Sequence, residues 1–181
     1  MNKINIIIGG FMILNNQNIK RIFLGISVIL SVVVIFLKQV MKSIMIATPS
    51  TAIIPASILI LISSLLLIIH TTMRDSIAKY IFLFAILLLG IKEFLWTGSA
   101  VSIILYAVLV ISLFKSIEHK TINIMVIVDC VIKILLTFWY LVDSTSYYGS
   151  FYYALPDVVG LLSSLCASIG VWLIAYKPIS K

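Results

Sequence analysis

Asp129 and Lys133 stand four residues apart in an otherwise apolar run, TINIMVIVDCVIKILLTFWYLV. On a helix, 100° per residue brings Asp129, Lys133, Thr137 and Tyr140 within roughly 80° of one another on a single face. An acid placed four residues before a base can form an ion pair. At the centre of a membrane span a charged group costs roughly 2.5–3.5 kcal/mol on insertion scales. Pairing reduces that cost without making the pair stabilising overall. This face is therefore expected to point into a bundle or a wet cavity, away from lipid. Two readings follow. Asp129, Lys133, Thr137 and Tyr140 form a solute-binding stripe reached from outside, or the pair only fixes packing between helices.

The next segment, DSTSYYGSFYYALPD, carries Tyr147, Tyr148, Phe151, Tyr152 and Tyr153, with Gly149 and Pro156 shaping turns. Tyrosine at a membrane surface serves as an interfacial anchor. Tyr147, Tyr148, Tyr152 and Tyr153 are also candidates for an outer lid over the stripe or a partner surface, since aromatic rings bind at low entropic cost. Beyond them Gly160, Ser164 and Ser168 recur at intervals of four, with Ser163, Ala167 and Gly170 alongside. Small residues at this spacing let helices approach closely. These three are expected to pack against another helix, and the same face could alternatively meet a second copy or a larger membrane protein. Lys92 and Glu93 are adjacent, project about 100° apart and are expected to snorkel from the outer end of their span.

Other chemistry is poorly provided for. His70 and His119 have no Asp, Glu or Cys at ligand spacing, so no metal site is expected. Cys130 and Cys166 each lie in a long apolar run without a CxxC and read as small packing residues. The chain contains no HExxH, no Gly-rich phosphate loop, no nucleophile elbow and no Cys/His pairing. An intramembrane aspartyl protease needs two acids, and Asp129 is the only one expected within the apolar core. Arg21 and Arg74 flank different spans rather than forming a cluster for lipid phosphates. No catalytic residue, enzyme activity or cofactor is expected.

The elements that must position the stripe are membrane helices. Of 181 residues, 62% are hydrophobic and 10% charged, against about 45–50% and about 25% in soluble domains. The mean hydropathy is +1.24. These values exclude a soluble globular domain, a disordered chain and a disulfide-stapled module. The net charge of +7 comes from basic residues set singly or in pairs beside apolar runs. That pattern suits orientation in a bilayer rather than nucleic-acid binding. Six apolar runs, at residues 22–37, 53–69, 77–96, 100–114, 122–142 and 158–176, lack the alternation of barrel strands and read as helices. The expected fold class is all-α: a polytopic helical membrane protein with a six-helix transmembrane domain over residues 22–176 and a tail at 177–181. The N-terminal segment 1–21 has an apolar part, 4–14, too short to cross, and is expected to lie at the interface or re-enter the membrane.

With the N-terminus inside, Lys3, Lys20, Arg21, Arg74, Lys79, Lys115, Lys120, Lys177 and Lys181 fall on the inner side, and Lys38, Lys42 and Lys92 on the outer. This bias predicts that both termini are cytoplasmic, in the plasma (inner) membrane. The function expected is a transport component that binds or passes a small polar solute along the stripe. The alternative is a non-enzymatic interaction protein (an immunity, exclusion or assembly factor) working through the Tyr-rich loop or the small-residue face. The partners implied are the lipid bilayer and, through the sixth span, a larger membrane protein or a second copy. Nucleic acid is not among them.

Overall fold

A computed structural model of the chain describes residues 2–44, 52–73, 77–96, 100–112, 119–148, 152 and 154–175, with side chains placed for 18–44, 52–73, 77–96, 100–111, 121–143, 152 and 154–174. Six helices and no strands occur among the described residues: α1 (Asn2–Ser43), α2 (Ile53–Thr72), α3 (Ile77–Leu95), α4 (Ala100–Ser112), α5 (His119–Tyr148) and α6 (Leu155–Ala175). Four of them are long and apolar enough to cross a membrane, through Asn18–Ser43, Ile53–Thr72, Thr121–Asp143 and Leu155–Ile174. Six runs of span length were expected, and two fall short for different reasons. α3 has 19 residues but carries Lys79, Lys92 and Glu93. α4 has 13 and rises about 20 Å, against roughly 30 Å of hydrocarbon.

Two helices run beyond the apolar runs read from the sequence. α1 extends unbroken from Asn2 to Ser43, with its span-length apolar part at Asn18–Ser43. At the other end of the chain, α5 continues beyond residue 142 to Tyr148. Nothing in Asp143 to Tyr148 breaks a helix, and the first glycine after the span is Gly149. α6 begins at Leu155 with Pro156 in its first turn, where a missing N–H costs nothing.

Contacts between helix ends define an up-and-down arrangement. Midway along α1, near the start of its span-length apolar part, Arg21 Nε donates to Thr71 Oγ1 at the end of α2 at 3.1 Å. His70 Nδ1 lies 2.8 Å from the carbonyl of Ala78 at the start of α3. Trp172 Nε1, near the end of α6, donates to Asn123 Oδ1 at the start of α5 at 2.7 Å. At the opposite end, Trp96 and Ile53 both lie against Gly160 near the start of α6.

α6 runs through the middle of this bundle, and its small residues make that possible. A Cβ at Gly170 would sit 2.6 Å from Leu24 Cδ2 of α1, and one at Gly160 would sit 2.7 Å from Trp96 Cη2 of α3. Between them, Ser163 ties α6 to α1. Its hydroxyl donates to the Ser27 carbonyl at 2.8 Å and lies 2.8 Å from Ser31 Oγ. Ser27 Oγ donates to the Ser163 carbonyl at 2.9 Å and accepts from Ser64 Oγ of α2 at 3.0 Å.

The burial pattern is that of a bundle solvated by lipid. Phe36, Phe94, Phe138 and Trp139 are exposed, whereas Lys92, Glu93, Asp129, Lys133 and the serines just named are buried. In water so large an apolar surface would drive association. In a bilayer it is the favourable side, and polar groups must find their partners inside.

Ser163→Ala removes the hydroxyl that joins α1 to α6 and should lower stability by about 1–2 kcal/mol, the range for strong interhelical hydrogen bonds in membranes. Ser57 Oγ is buried without a hydrogen-bond partner among the described residues, so Ser57→Ala should leave stability unchanged or slightly raised. Thermal unfolding of the two variants in detergent compares them directly.

Candidate functional site

α3, α4, α5 and α6 each present a stripe to the centre, and polar groups from all four meet there. On α5 the buried positions are Ile122, Val126, Asp129 and Lys133, a spacing of four, three and four that follows one helical face. On α4 they are Ser102, Leu105, Tyr106 and Leu109, and on α3 they are Ala78, Phe82, Ala85, Ile86, Leu89, Lys92 and Glu93. The α3 stripe is wide because neighbouring helices cover it from two sides, so adjacent residues are both enclosed.

The result is a quartet of buried charges. Lys133 Nζ donates to Asp129 Oδ2 at 2.5 Å within α5 and reaches across to Glu93 Oε1 at 3.1 Å. Lys92 Nζ donates to the same Glu93 oxygen at 2.5 Å. All four side chains are at most 1% exposed. Two ammonium groups and two carboxylates leave the cluster with no net charge. At this depth that balance matters more than any one contact, since an unpaired ion there carries the full desolvation cost.

Hydroxyl groups complete the shell. Ser102 Oγ of α4 donates to Asp129 Oδ1. From α6, Ser164 Oγ accepts from Lys92 Nζ at 2.6 Å, and Ser168 Oγ accepts from Lys133 Nζ at 3.0 Å. Tyr106 OH lies 3.0 Å from Ser168 Oγ, and Lys133 Nζ sits 5.8 Å from the centre of the Tyr106 ring. On the other side Lys92 Nζ is 5.6 Å from the Trp96 ring. Both distances suit a cation–π contact.

The stripe residues therefore have unequal places. Asp129 and Lys133 sit in the quartet. Thr137, half-buried, donates its hydroxyl to the Lys133 carbonyl of its own helix at 2.8 Å. Tyr140, also half-buried, lies within electrostatic reach of Asp157 and Asp143, beyond the quartet. Of the tyrosines, Tyr152 is exposed. Tyr147 and Tyr148 end α5 with side chains outside the described residues, as is Tyr153 altogether. Gly160, Ser164 and Ser168 all face the interior, against Trp96, Lys92 and Lys133 in turn.

Lys92 and Glu93 correct the expectation that they snorkel. Adjacent residues do diverge by about 100°, but a lysine stem and a glutamate are long enough to curl back toward each other when helices enclose both. Glu93 is also a second acid inside the bundle, where Asp129 was expected alone. Their signal was present in the sequence: positions 85, 86 and 89 of α3 continue at 92 and 93 with inward spacing. An apolar surround on every face hid which side was inward. Tyr106 and Ser102 were missed for the same reason.

Among the described residues no group of His, Cys, Asp and Glu could hold a metal ion. An apolar groove of about 330 Å³ lies between α3 and α4, lined by Ile86, Gly90, Ile91, Phe94, Ile103 and Tyr106 among others. Its walls suit a lipid chain. Tyr106, one of its lining residues, is also the ring over which Lys133 Nζ sits.

The shared Glu93 distinguishes one quartet from two separate pairs. Replacing any one member with Leu should cost about 3–5 kcal/mol by stranding a buried charge, while neutral double replacements should recover most of it. The pairs Asp129→Leu with Lys133→Leu and Lys92→Leu with Glu93→Leu should both recover. The cross pair Lys92→Leu with Asp129→Leu leaves Lys133 beside Glu93 and should recover as well. Unfolding of these variants in detergent reads the outcome, and a cross pair that loses the sum of its two single-variant costs would mean two independent pairs.

Comparison with protein families, with curated proteins and with solved structures finds no match to this chain, so the quartet and its surroundings are the basis for reading its function.

Proposed function

We propose that the chain is a transport component of the plasma (inner) membrane that binds or passes a small polar solute at the Asp129–Lys133–Glu93–Lys92 quartet. The observation that carries this reading is the quartet itself: four ionisable groups, balanced in sign, held within an apolar bundle. Intramembrane ions are costly and mark solute paths, ion paths and proton relays. A purely structural core could be filled with apolar residues at no loss of stability. The groups also come from two helices, α3 and α5, so a small movement of one against the other would change their pairing.

In this reading all six helices lie in the membrane and both termini are cytoplasmic. Neutralisation of Lys92 and Glu93 within the bundle removes the main obstacle to burying α3. α4 is short, and its polar Ser102 is directed to Asp129 rather than to lipid. The nine-to-three bias of basic residues sets the orientation. The alternative, a partner-binding protein, draws less support, because Gly160, Ser164 and Ser168 are already engaged within the chain.

Two experiments test this. In a cysteine-free background, an impermeant maleimide should label Gly149→Cys in intact cells, and Ile179→Cys only after permeabilisation. The reverse pattern overturns the orientation. For the solute, a panel of sugars, polyols, nucleosides, amino acids and betaines should be screened by thermal unfolding of the purified protein. A solute at a hundred times its dissociation constant should raise Tm by about 5–10 °C. The folded variant with all four charges replaced by Leu should show no such shift. Absence of any shift in the unaltered protein, or an equal shift in the variant, removes the quartet as a solute site.

A further inference from the structure

A second polar cluster lies at the end of the bundle that carries Trp96 and the start of α6. Asp157 is 1% exposed, yet its Oδ1 is buried with no hydrogen-bond partner among the described residues. The Trp96 indole N–H is likewise buried without one. The two groups are near enough for the indole to act on the carboxylate, but they form no well-made hydrogen bond. Lys38 of α1, 5% exposed, lies within electrostatic reach of Asp157, as does Tyr140 of α5. A buried acceptor and a buried donor left open in one place are unusual, since such groups in native proteins nearly always find partners.

Trp96 links this cluster to the quartet. Its ring is pressed onto α6 at Gly160, where a Cβ would come within 2.7 Å of Cη2. Lys92 Nζ lies 5.6 Å from the ring centre. One indole therefore touches both clusters.

We propose that Asp157 and Trp96, with Lys38 beside them, form an outer binding site for a small zwitterion with a free ammonium group, of the α-amino-acid class, on its way to the quartet. This substrate class rests on reading the quartet as a solute site. The ammonium group donates to Asp157 Oδ1, and the carboxylate accepts from the Trp96 indole N–H with Lys38 nearby. Charge balance narrows the class. Lys38 and Asp157 sum to zero, as do the four groups of the quartet. A cation or an anion would leave one uncompensated charge in a low-dielectric interior. A sugar is neutral but supplies no ions, so it cannot take over the partners of a lysine or a carboxylate when the quartet opens. A zwitterion can exchange partners with both signs while the total stays zero. Trimethylated ammonium lacks the N–H that the Asp157 oxygen requires, which excludes betaines.

Equilibrium binding of the twenty radiolabelled α-amino acids to the purified protein in detergent tests the proposal. Glycine betaine, amidated and N-acetylated amino acids, and a sugar serve as competitors. At least one amino acid should bind saturably, and none of those competitors should displace it. Asp157→Asn and Trp96→Phe should each weaken binding about tenfold or more in protein that still unfolds cooperatively, at a lower temperature because the first removes the countercharge of Lys38 and the second the indole contact with Gly160. Should Asp157→Asn fail to fold, Trp96→Phe carries the test, since it keeps an aromatic ring in the bundle and removes the N–H donor, together with the indole's contact on Gly160. Amino-acid binding that is indifferent to both substitutions overturns the outer site. Binding of a sugar, betaine, cation or anion in place of amino acids overturns the zwitterion assignment while leaving the quartet as a solute site. No binding by any compound overturns both.

Discussion

Charge balance inside a low-dielectric bundle is the constraint from which the rest of this structure follows. Lys92 and Lys133 bring two positive charges into the interior, and Glu93 and Asp129 return the total to zero. No member can be solvated from outside, because the surrounding surface is apolar and all four side chains are enclosed. Each helix that contributes a charge must therefore keep one face inward and hold it at a depth set by the others. α3 is the clearest case. With Lys79, Lys92 and Glu93 it is less apolar than its neighbours, and it is compatible with lipid only while two of those groups are neutralised within the bundle.

The quartet needs close helix approach, which α6 provides. Glycine at 160 and 170 lets Trp96 and Leu24 rest against its backbone. Ser163 bonds to α1, while Ser164 and Ser168 accept from the two lysines. Serine does two jobs here: it is small enough for helices to meet and polar enough to satisfy a buried ammonium group. Leucine at these positions would separate the helices and leave the lysines short of acceptors at the same time. Packing and electrostatics are thus the same interaction on this helix.

Open hydrogen-bonding groups lie elsewhere. The quartet is closed, with each charge partnered, whereas the donor and acceptor at Trp96 and Asp157 are not joined to each other by a good hydrogen bond. In the proposed reading these are a closed inner site and an unfinished outer one that share an indole wall, as passage of a polar molecule requires. The apolar groove lined by Tyr106 has no comparable open groups among its lining residues.

Composition and periodicity determined the class of this protein and one of its pairs. Long apolar runs without alternation require helices in lipid, and an acid four residues before a base on a helix can always reach it, so Asp129 and Lys133 could be read without a fold. The ends of α1 and α5 were less legible because no proline or glycine stops them where hydrophobicity falls. Lys92, Glu93, Ser102 and Tyr106 depended on tertiary structure. A helix that is apolar all round has no inward face until its neighbours are placed, and local spacing cannot show that two helices enclose both of two adjacent residues. The pairing of Glu93 with Lys133 joins residues forty positions apart. Only the packing of α3 on α4, of α4 on α5 and of α5 on α6 brings their side chains within 3.1 Å, because the interaction that fixes them is a balance of charge across the bundle and not a property of either helix alone.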